Sequence, residues 1–374
     1  MMHLQNLLAT IVCALLTLPL SARRVINVAK CGVPTDGVTL CTHQIDSILA
    51  SAPAGSIVRF PAGRYLTGTL HLRSHITLQI DKGATLVAST SLEDYDHYRP
   101  THSMARYDSG AGTRNANLAS DARWTRALII GTGLNDIKIC GQGVIDGLHL
   151  PDSLGEESMR GPHTILLAEC QNVKVEGIHI RRAANYAILG YELQNARFSH
   201  LLIEEGWDGI HIRGGKNIRI NRCTMHTGDD CIAGGYWKGM RIDHCRLNSS
   251  CNGIRMMEPS EDLEIDHCKI WGLGKYPHLT SGKERRTSSI LGVSLEPGAW
   301  GSAPGITKGI RLHHLSFYNM YGAIAYQMQD DTPCHDISLH HISATRCRVT
   351  VPFNNQGSSH MWQSIRIKKY SIHD

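Results

Sequence analysis

Two adjacent carboxylates, Asp229 and Asp230, stand between a glycine and a cysteine in "HTGDDCIAGG" (226–235). Like charges this close repel, and a fold seldom needs both. They fit a solvated turn whose aspartates cap backbone amides, a metal site, or the acid and base of an enzyme. Spacing along the chain bears on the choice. Asp208, in "GWDGIHI", comes 22 residues before Asp230, and Asn252, in "SCNGIRMM", comes 22 residues after it. A chain that repeats with this period stacks Asp208, Asp230 and Asn252 in one column, with Asp229 beside the middle member. Three carboxylates within one or two strand spacings cannot all ionise freely, so at least one pKa is expected to rise. A protonated acid can then serve a leaving group while ionised neighbours activate water, the division of labour of glycoside hydrolysis. Gly228 is expected to bend the chain so that both acids turn outward.

The positioning element is a repeat. The segments "CQNVKVEGIHI", "LQNARFSHLLI", "GKNIRINRCTM", "WKGMRIDHCRL" and "SEDLEIDHCKI" place their first apolar strand residue at Val173, Ala196, Ile218, Met240 and Leu263. Further members start at Ile310, Ile337 and Ile365. The long step from Leu263 to Ile310 leaves room for two coils or one large insertion. Short alternating strands broken by Asn and Gly turns, with few amphipathic helical patterns, predict an all-β solenoid, a parallel β-helix. Residues one period apart then lie about 4.8 Å apart. On that rule Cys223, Cys245 and Cys268 form a ladder of core packing.

The totals agree with a globular protein: 42% of the 374 residues are hydrophobic and 19% charged. The net charge of +5 includes no basic run, which argues against a nucleic-acid partner. Residues 1–22 carry no charged side chain and end in Leu-Ser-Ala, so they are expected to be a secretory signal peptide. Residues 23–374 are expected to form a single catalytic domain, exported to the periplasm or beyond the cell, monomeric and without a membrane segment. Cys13 lies in the signal, leaving an odd number of later cysteines, so at least one stays unpaired within the chain. Cys31 and Cys41 form a plausible local disulfide. No Cys-x-x-Cys pattern and no metal-ligand spacing among the 22 histidines is found.

From about Ile26 to the last coils the chain resembles glycoside hydrolase family 28, the polygalacturonase-like enzymes. "AKCGVPTDGVTLCTHQIDSILA" resembles the family's N-terminal turn and capping helix. "IVRFPAGRYLTGTLHLRSHITLQIDKGATLVAS" resembles its first coils, and "DIKICGQGVIDG" a later stretch. "DGIHI" followed by "GDDCIA" is the most specific part. The resemblance implies a right-handed, single-stranded parallel β-helix with coils of roughly 22–24 residues, at the short end of solenoid repeats. It implies an inverting hydrolase with Asp229 as proton donor and Asp208 and Asp230 holding the water. The two carboxyl sets are then expected roughly 6.5–9.5 Å apart. No metal or organic cofactor is implied.

Departures from the pattern point to the substrate. Asn252 stands where the family has its active-site histidine, Ser294-Leu295-Glu296 aligns with its Arg-Ile-Lys, and Gly234-Gly235 replaces a frequent Lys. Those cations hold a uronate carboxylate. Arg255 is a candidate replacement cation, and Glu296 and Asn252 are candidate substrate contacts. Trp207, Tyr236 and Trp237 are candidates for stacking on sugar rings or for core packing. Segments 98–124 and 273–289 lack strand periodicity and are expected to shape the binding face, where they could close one end. The substrate expected is a pectic, galacturonate-containing or related polysaccharide. Two alternatives remain: a lyase on the same fold using calcium held by the acids, and an inactive carbohydrate-binding β-helix.

Overall fold

A computed structural model describes residues 24–108, 117–280, 285–299, 303–326, 334–349 and 362–373, the last run by its backbone alone. The expected signal segment 1–22 lies outside the described residues. Parallel strands hydrogen-bond coil to coil in one continuous sheet of 27 strands, the parallel β-helix that the repeat predicts. The helix Thr42–Ser51 covers the first coils, burying Ile45 and Leu49. Asp46 on this helix fixes its place by accepting from the His71 backbone N–H at 2.8 Å.

Each coil must bury an apolar edge that it cannot cover alone, and stacking provides the cover. Ile188, Ile210, Ile232, Ile254, Val293 and Ile324 pair in strict register on successive coils. A second inward ladder runs Phe198, Ile220, Ile242, Ile265, Leu312 and Leu339. A third runs Ile203, Met225, Leu247 and Ile270. All of these side chains are buried, each worth about 1.5–3 kcal/mol by transfer from water. The expected strand starts pair as read: Val173 with Ala196, Ala196 with Ile218, Ile218 with Met240, and Met240 with Leu263. Ile310 pairs with Ile337, and Ile337 with Ile365.

The long step after Leu263 is one coil with an insertion, because strand Thr307–Tyr318 pairs with both Glu261–Asp266 and Lys269–Trp271. The insertion brings His278 to the site, and residues 281–284 within it lie outside the described residues.

Coil corners use left-handed residues in columns. Asn172, Asn195 and Asn217 (φ 55°, 52° and 57°) link side chain to side chain at 3.2 and 3.1 Å; asparagine is one of the few residues that adopts this conformation cheaply. Another corner stacks His244, His267, His314 and His341, with ring centroids 4.5–5.1 Å apart.

The cysteine ladder of Cys223, Cys245 and Cys268 is buried in the core, each thiol donating to backbone carbonyls. The Cys31–Cys41 disulfide does not form. Both thiols are free, Cys31 on an exposed turn and Cys41 buried with its Sγ donating to the Leu66 carbonyl at 3.0 Å.

Candidate active site

The three acids reach one place because the turn before each strand repeats. Asp208, Asp230 and Asn252 each sit two residues before Ile210, Ile232 and Ile254, which pair in register. Backbone bonds tie the turns directly: Gly209 N to Asp230 O at 2.9 Å and Cys231 N to Asn252 O at 3.1 Å. The side chains continue the column. Asp208 Oδ1 accepts from the Asp230 N–H at 3.1 Å, and Asp230 Oδ1 accepts from Asn252 N at 3.0 Å and Nδ2 at 2.8 Å. Nearest oxygens of Asp208, Asp229 and Asp230 all lie within 4.8 Å of one another. That is tighter than the roughly 6.5–9.5 Å expected of an inverting pair, because Asp229 and Asp230 are neighbours on one coil and Asp208 stands on the adjacent coil, one strand spacing away.

The chain bends at Gly228 and Asp229, and both acids line one cavity, although Asp230 is only 3% exposed. The φ of Gly228 is not left-handed. The glycine is needed for close approach: a Cβ there would stand 2.5 Å from the Gly206 carbonyl oxygen and 2.6 Å from that of Pro277.

A cavity of about 160 Å³ opens onto the trio, lined also by Arg160, Tyr186, His211, Arg255 and His278. Asp229 is the most accessible acid, with 15% of its side chain exposed against 4% for Asp208 and for Asp230. Its carboxylate faces two groups that the sequence did not single out. Arg160 Nη2 is 3.2 Å from Oδ2, and His278 Nε2 is 3.7 Å from Oδ1. Arg160 is itself buried and also meets Glu157 at 2.8 Å and Glu156 at 3.4 Å. Its guanidinium lies over the Trp207 ring at 5.3 Å, and Nη1 is buried without a hydrogen-bond partner among the described residues.

Electrostatics divide the trio. Burial raises Asp208 well above the usual carboxylate range, and the charges of Asp229 and Asp230 add to this. Burial and then the Asp229 charge push Asp230 up to about 6, against the opposing pull of Arg255 and Asn252. Burial works against ionisation of Asp229 too, but the His278 contact and the Arg160, His278 and Arg255 charges outweigh it and hold Asp229 below its ordinary value. The rise expected of at least one acid therefore falls on Asp208 and Asp230, and in this geometry Asp229 is the ionised member.

His211, the histidine of "DGIHI", completes the inner wall. Its Nδ1 is 2.7 Å from Asp208 Oδ2, and its Nε2 accepts from Arg213 Nε at 3.1 Å. Burial, then Arg213, holds the imidazole well below its ordinary pKa and so neutral. With Nε2 accepting, the proton must sit on Nδ1, which donates to Asp208. The ring stacks on Tyr186 at 4.6 Å and 6°. Arg213 is buried with its charge spread over the Tyr107 and Asn117 carbonyls at 2.8 and 3.0 Å. Segment 98–124 thus braces the site through its backbone, and residues 109–116 within it lie outside the described residues.

The remaining candidates separate. Arg255 lines the cavity, 3.8 Å from Asp230 Oδ2, but its Nη2 is also 2.9 Å from Glu296 Oε2. Glu296, which also takes the Ser294 hydroxyl, sits behind Arg255, and Asn252 sits behind Asp230; neither is among the lining residues. Trp237 is core, with Nε1 donating to Ile212 O at 2.8 Å. Tyr236 instead lines a neighbouring groove of about 380 Å³ with Arg106, Tyr107, Lys216 and Lys238, and Arg106 lies over its ring at 4.3 Å.

The family model for glycosyl hydrolases family 28 matches residues 60–248. Over 276 residues the chain is 26% identical to an exo-poly-alpha-D-galacturonosidase of Dickeya chrysanthemi, covering 61% of this chain and 44% of that protein. Over 217 residues it is 28% identical to a probable polygalacturonase of Vitis vinifera, covering 53% of this chain and 41% of that one. The chain thus spans less than half the length of these two relatives. Among solved structures, the family 28 exopolygalacturonase of Yersinia enterocolitica has a TM-score of 0.65 at 17% identity, covering 94% of this chain and 72% of that one. At that identity the likeness is one of fold.

Proposed function

Because this chain belongs to the glycosyl hydrolases of family 28, we propose that it hydrolyses glycosidic bonds of a pectic polysaccharide, with Asp208, Asp229 and Asp230 as the reacting groups. The observation that carries this reading is the convergence of three carboxylates, from adjacent coils, on one small cavity.

Asp229, the most accessible of the three, is the proton donor to the glycosidic oxygen. In the free protein its charge is held by Arg160 and His278. A sugar that expels water from the cavity disfavours the charged carboxylate and so returns a proton to Asp229. His278, beside Asp229, stands in for the histidine that Asn252 replaces. Asp208 and Asp230 hold and activate the water. Asp230 is oriented by Asn252, Asp208 by the neutral His211. The short spacing of the acids lends no support to inversion, so the stereochemistry rests on the family pattern and is read from the anomer first released.

An acidic substrate is supported by the cations around the cavity. Arg160 keeps a buried Nη1 donor unmatched among the described residues, and a sugar carboxylate or hydroxyl would accept from it. Arg106, Lys216 and Lys238 border the neighbouring groove. Arg255 acts mainly on Asp230 and through Glu296. The enzyme is exported after loss of residues 1–22 and works as the single domain 23–374.

Product analysis on polygalacturonan, rhamnogalacturonan and neutral pectic side chains, with Asp229→Asn as control, tests the reading. Saturated products lost in the variant support it. Unsaturated products would indicate a lyase, and binding without turnover across the panel would indicate a carbohydrate-binding protein.

A further inference from the structure

Away from the cleft, three metal-ligating side chains meet at a coil corner. Asp266 ends the strand Glu261–Asp266 and pairs in register with His313 on the next coil. His314 follows in left-handed conformation, φ 54°, which breaks the strand alternation and brings both imidazoles to the same carboxylate. Asp266 Oδ1 is 2.8 Å from His313 Nδ1 and 3.3 Å from His314 Nδ1, and the two nitrogens are 3.3 Å apart. A tetrahedral zinc ion with bonds of roughly 2.0–2.1 Å sets neighbouring ligands about 3.3 Å apart. The three observed separations, one of 2.8 Å and two of 3.3 Å, are close to one face of that tetrahedron.

Two further features point to an ion. Asp266 is 8% exposed, and its buried Oδ1 is crowded by three ring nitrogens, those of His267, His313 and His314, at 2.5, 2.8 and 3.3 Å. Its other side is held separately, with Oδ2 3.6 Å from Arg241 Nη2. Two Nδ1 atoms facing each other and one carboxylate oxygen make a poor hydrogen-bond set but a good ligand set. The second feature is an outer partner: His313 Nε2 lies 3.3 Å from Glu264 Oε1. Metal-bound histidines commonly give their remaining N–H to a carboxylate, which fixes the tautomer and orients the ring. Glu264 is also approached by Arg241 at 3.4 Å and Arg311 at 3.7 Å, so its charge is balanced locally. His267 stacks on His314 at 4.5 Å and brings its own Nδ1 to 2.5 Å from the same Asp266 oxygen. His313 and His314 are 26% and 43% exposed, leaving a fourth position open to water or a small ligand.

We infer that Asp266, His313 and His314 form a binding site for a divalent transition metal of the zinc class, separate from the acid trio. Strand pairs flank the corner on both sides, so a bound ion clamps two coils together across the insertion at 273–289. It would stabilise the folded chain by an amount that rises with the logarithm of free metal above its dissociation constant.

The test uses the full chain freed of metal with a chelator, then zinc ion alone, with stoichiometry by elemental analysis and affinity by calorimetry. One zinc per chain is expected. Uptake should be lost in the double variant His313→Ala/His314→Ala and in Asp266→Asn. It should weaken about 10–100-fold in Glu264→Gln, which leaves all three ligands in place. Asp229→Asn should bind like the parent, which separates this site from the acid trio and from the Asp229, Cys251 and His278 group. If the histidine pair fails to fold, Glu264→Gln still decides. Absence of zinc uptake by the parent chain, or uptake unchanged in the folded ligand variants, overturns the inference.

Discussion

Asp229→Asn is the most informative single change. It keeps the shape of the side chain and removes its charge and its proton. A positioned general acid contributes about 10²–10⁴ in rate, so kcat/KM should fall by that factor, about 2.7–5.4 kcal/mol of transition-state stabilisation. The structure adds a second, less generic consequence. The Asp229 charge is the largest cause after burial that lifts Asp230 to about 6. Asp230 must be ionised to activate water, so the parent profile should lose activity as pH falls through about 6. Removing the Asp229 charge lowers the Asp230 pKa, and the acid limb of the residual activity should move to lower pH. Folding is affected little, because Arg160 keeps Glu157 at 2.8 Å and Glu156 at 3.4 Å. The assay is release of reducing ends from the substrate found in the product screen, from pH 3 to pH 8, with circular dichroism confirming the fold. A folded variant within tenfold of parent activity, with an unmoved acid limb, would refute the reasoning about the trio.

Other substitutions probe the surroundings. Asp230→Asn mimics the protonated acid. Because the folded pKa is raised from 3.8 to about 6, the parent's favourable contribution is complete below about pH 4 and is lost as pH rises through 6. The variant's melting temperature should therefore gain on the parent's between pH 4 and pH 7, by the equivalent of roughly 3 kcal/mol at most; a gain that shrinks over that range would contradict the burial argument. His278→Ala removes the contact that most strongly holds Asp229 down, so Asp229 should titrate at higher pH; activity should nevertheless fall by about 10²-fold or more, because the proton donor loses the partner that positions it. Unchanged activity would return the histidine role to another residue. Gly228→Ala drives a methyl against two carbonyl oxygens and should cost about 1–3 kcal/mol by overpacking, while displacing the segment that carries His278. Urea midpoints and kcat measured together would show both losses, and a stable, fully active variant would rule out the tight approach.

The coil and its register are written in the sequence because the repeat is local. Each strand start lies one period from the next, and each apolar residue faces the same core. The equal spacing of Asp208, Asp230 and Asn252 along the chain is therefore already a statement about distance. The "DGIHI" and "GDDCIA" segments and their neighbours carried the family for the same reason. His211 was within reach: it lies in the quoted motif, on the strand that Asp208 opens.

Arg160, Arg213 and His278 were not legible in this way. Arg160 comes from a turn outside the repeat, and His278 from the insertion whose length only marked it as an addition. Nothing in their spacing says which acid they meet. The same holds for the roles of Arg255 and Glu296, which sequence alignment left as substrate contacts and which the fold turns toward each other at 2.9 Å.

By itself, then, the sequence determined that three carboxylates stand on neighbouring coils, because a solenoid converts period into proximity. Only the tertiary structure decided how their charge is divided. A carboxylate's pKa depends on burial and on cations within a few ångströms, and the two groups nearest Asp229, Arg160 and His278, come from segments with no fixed sequence distance to the acids.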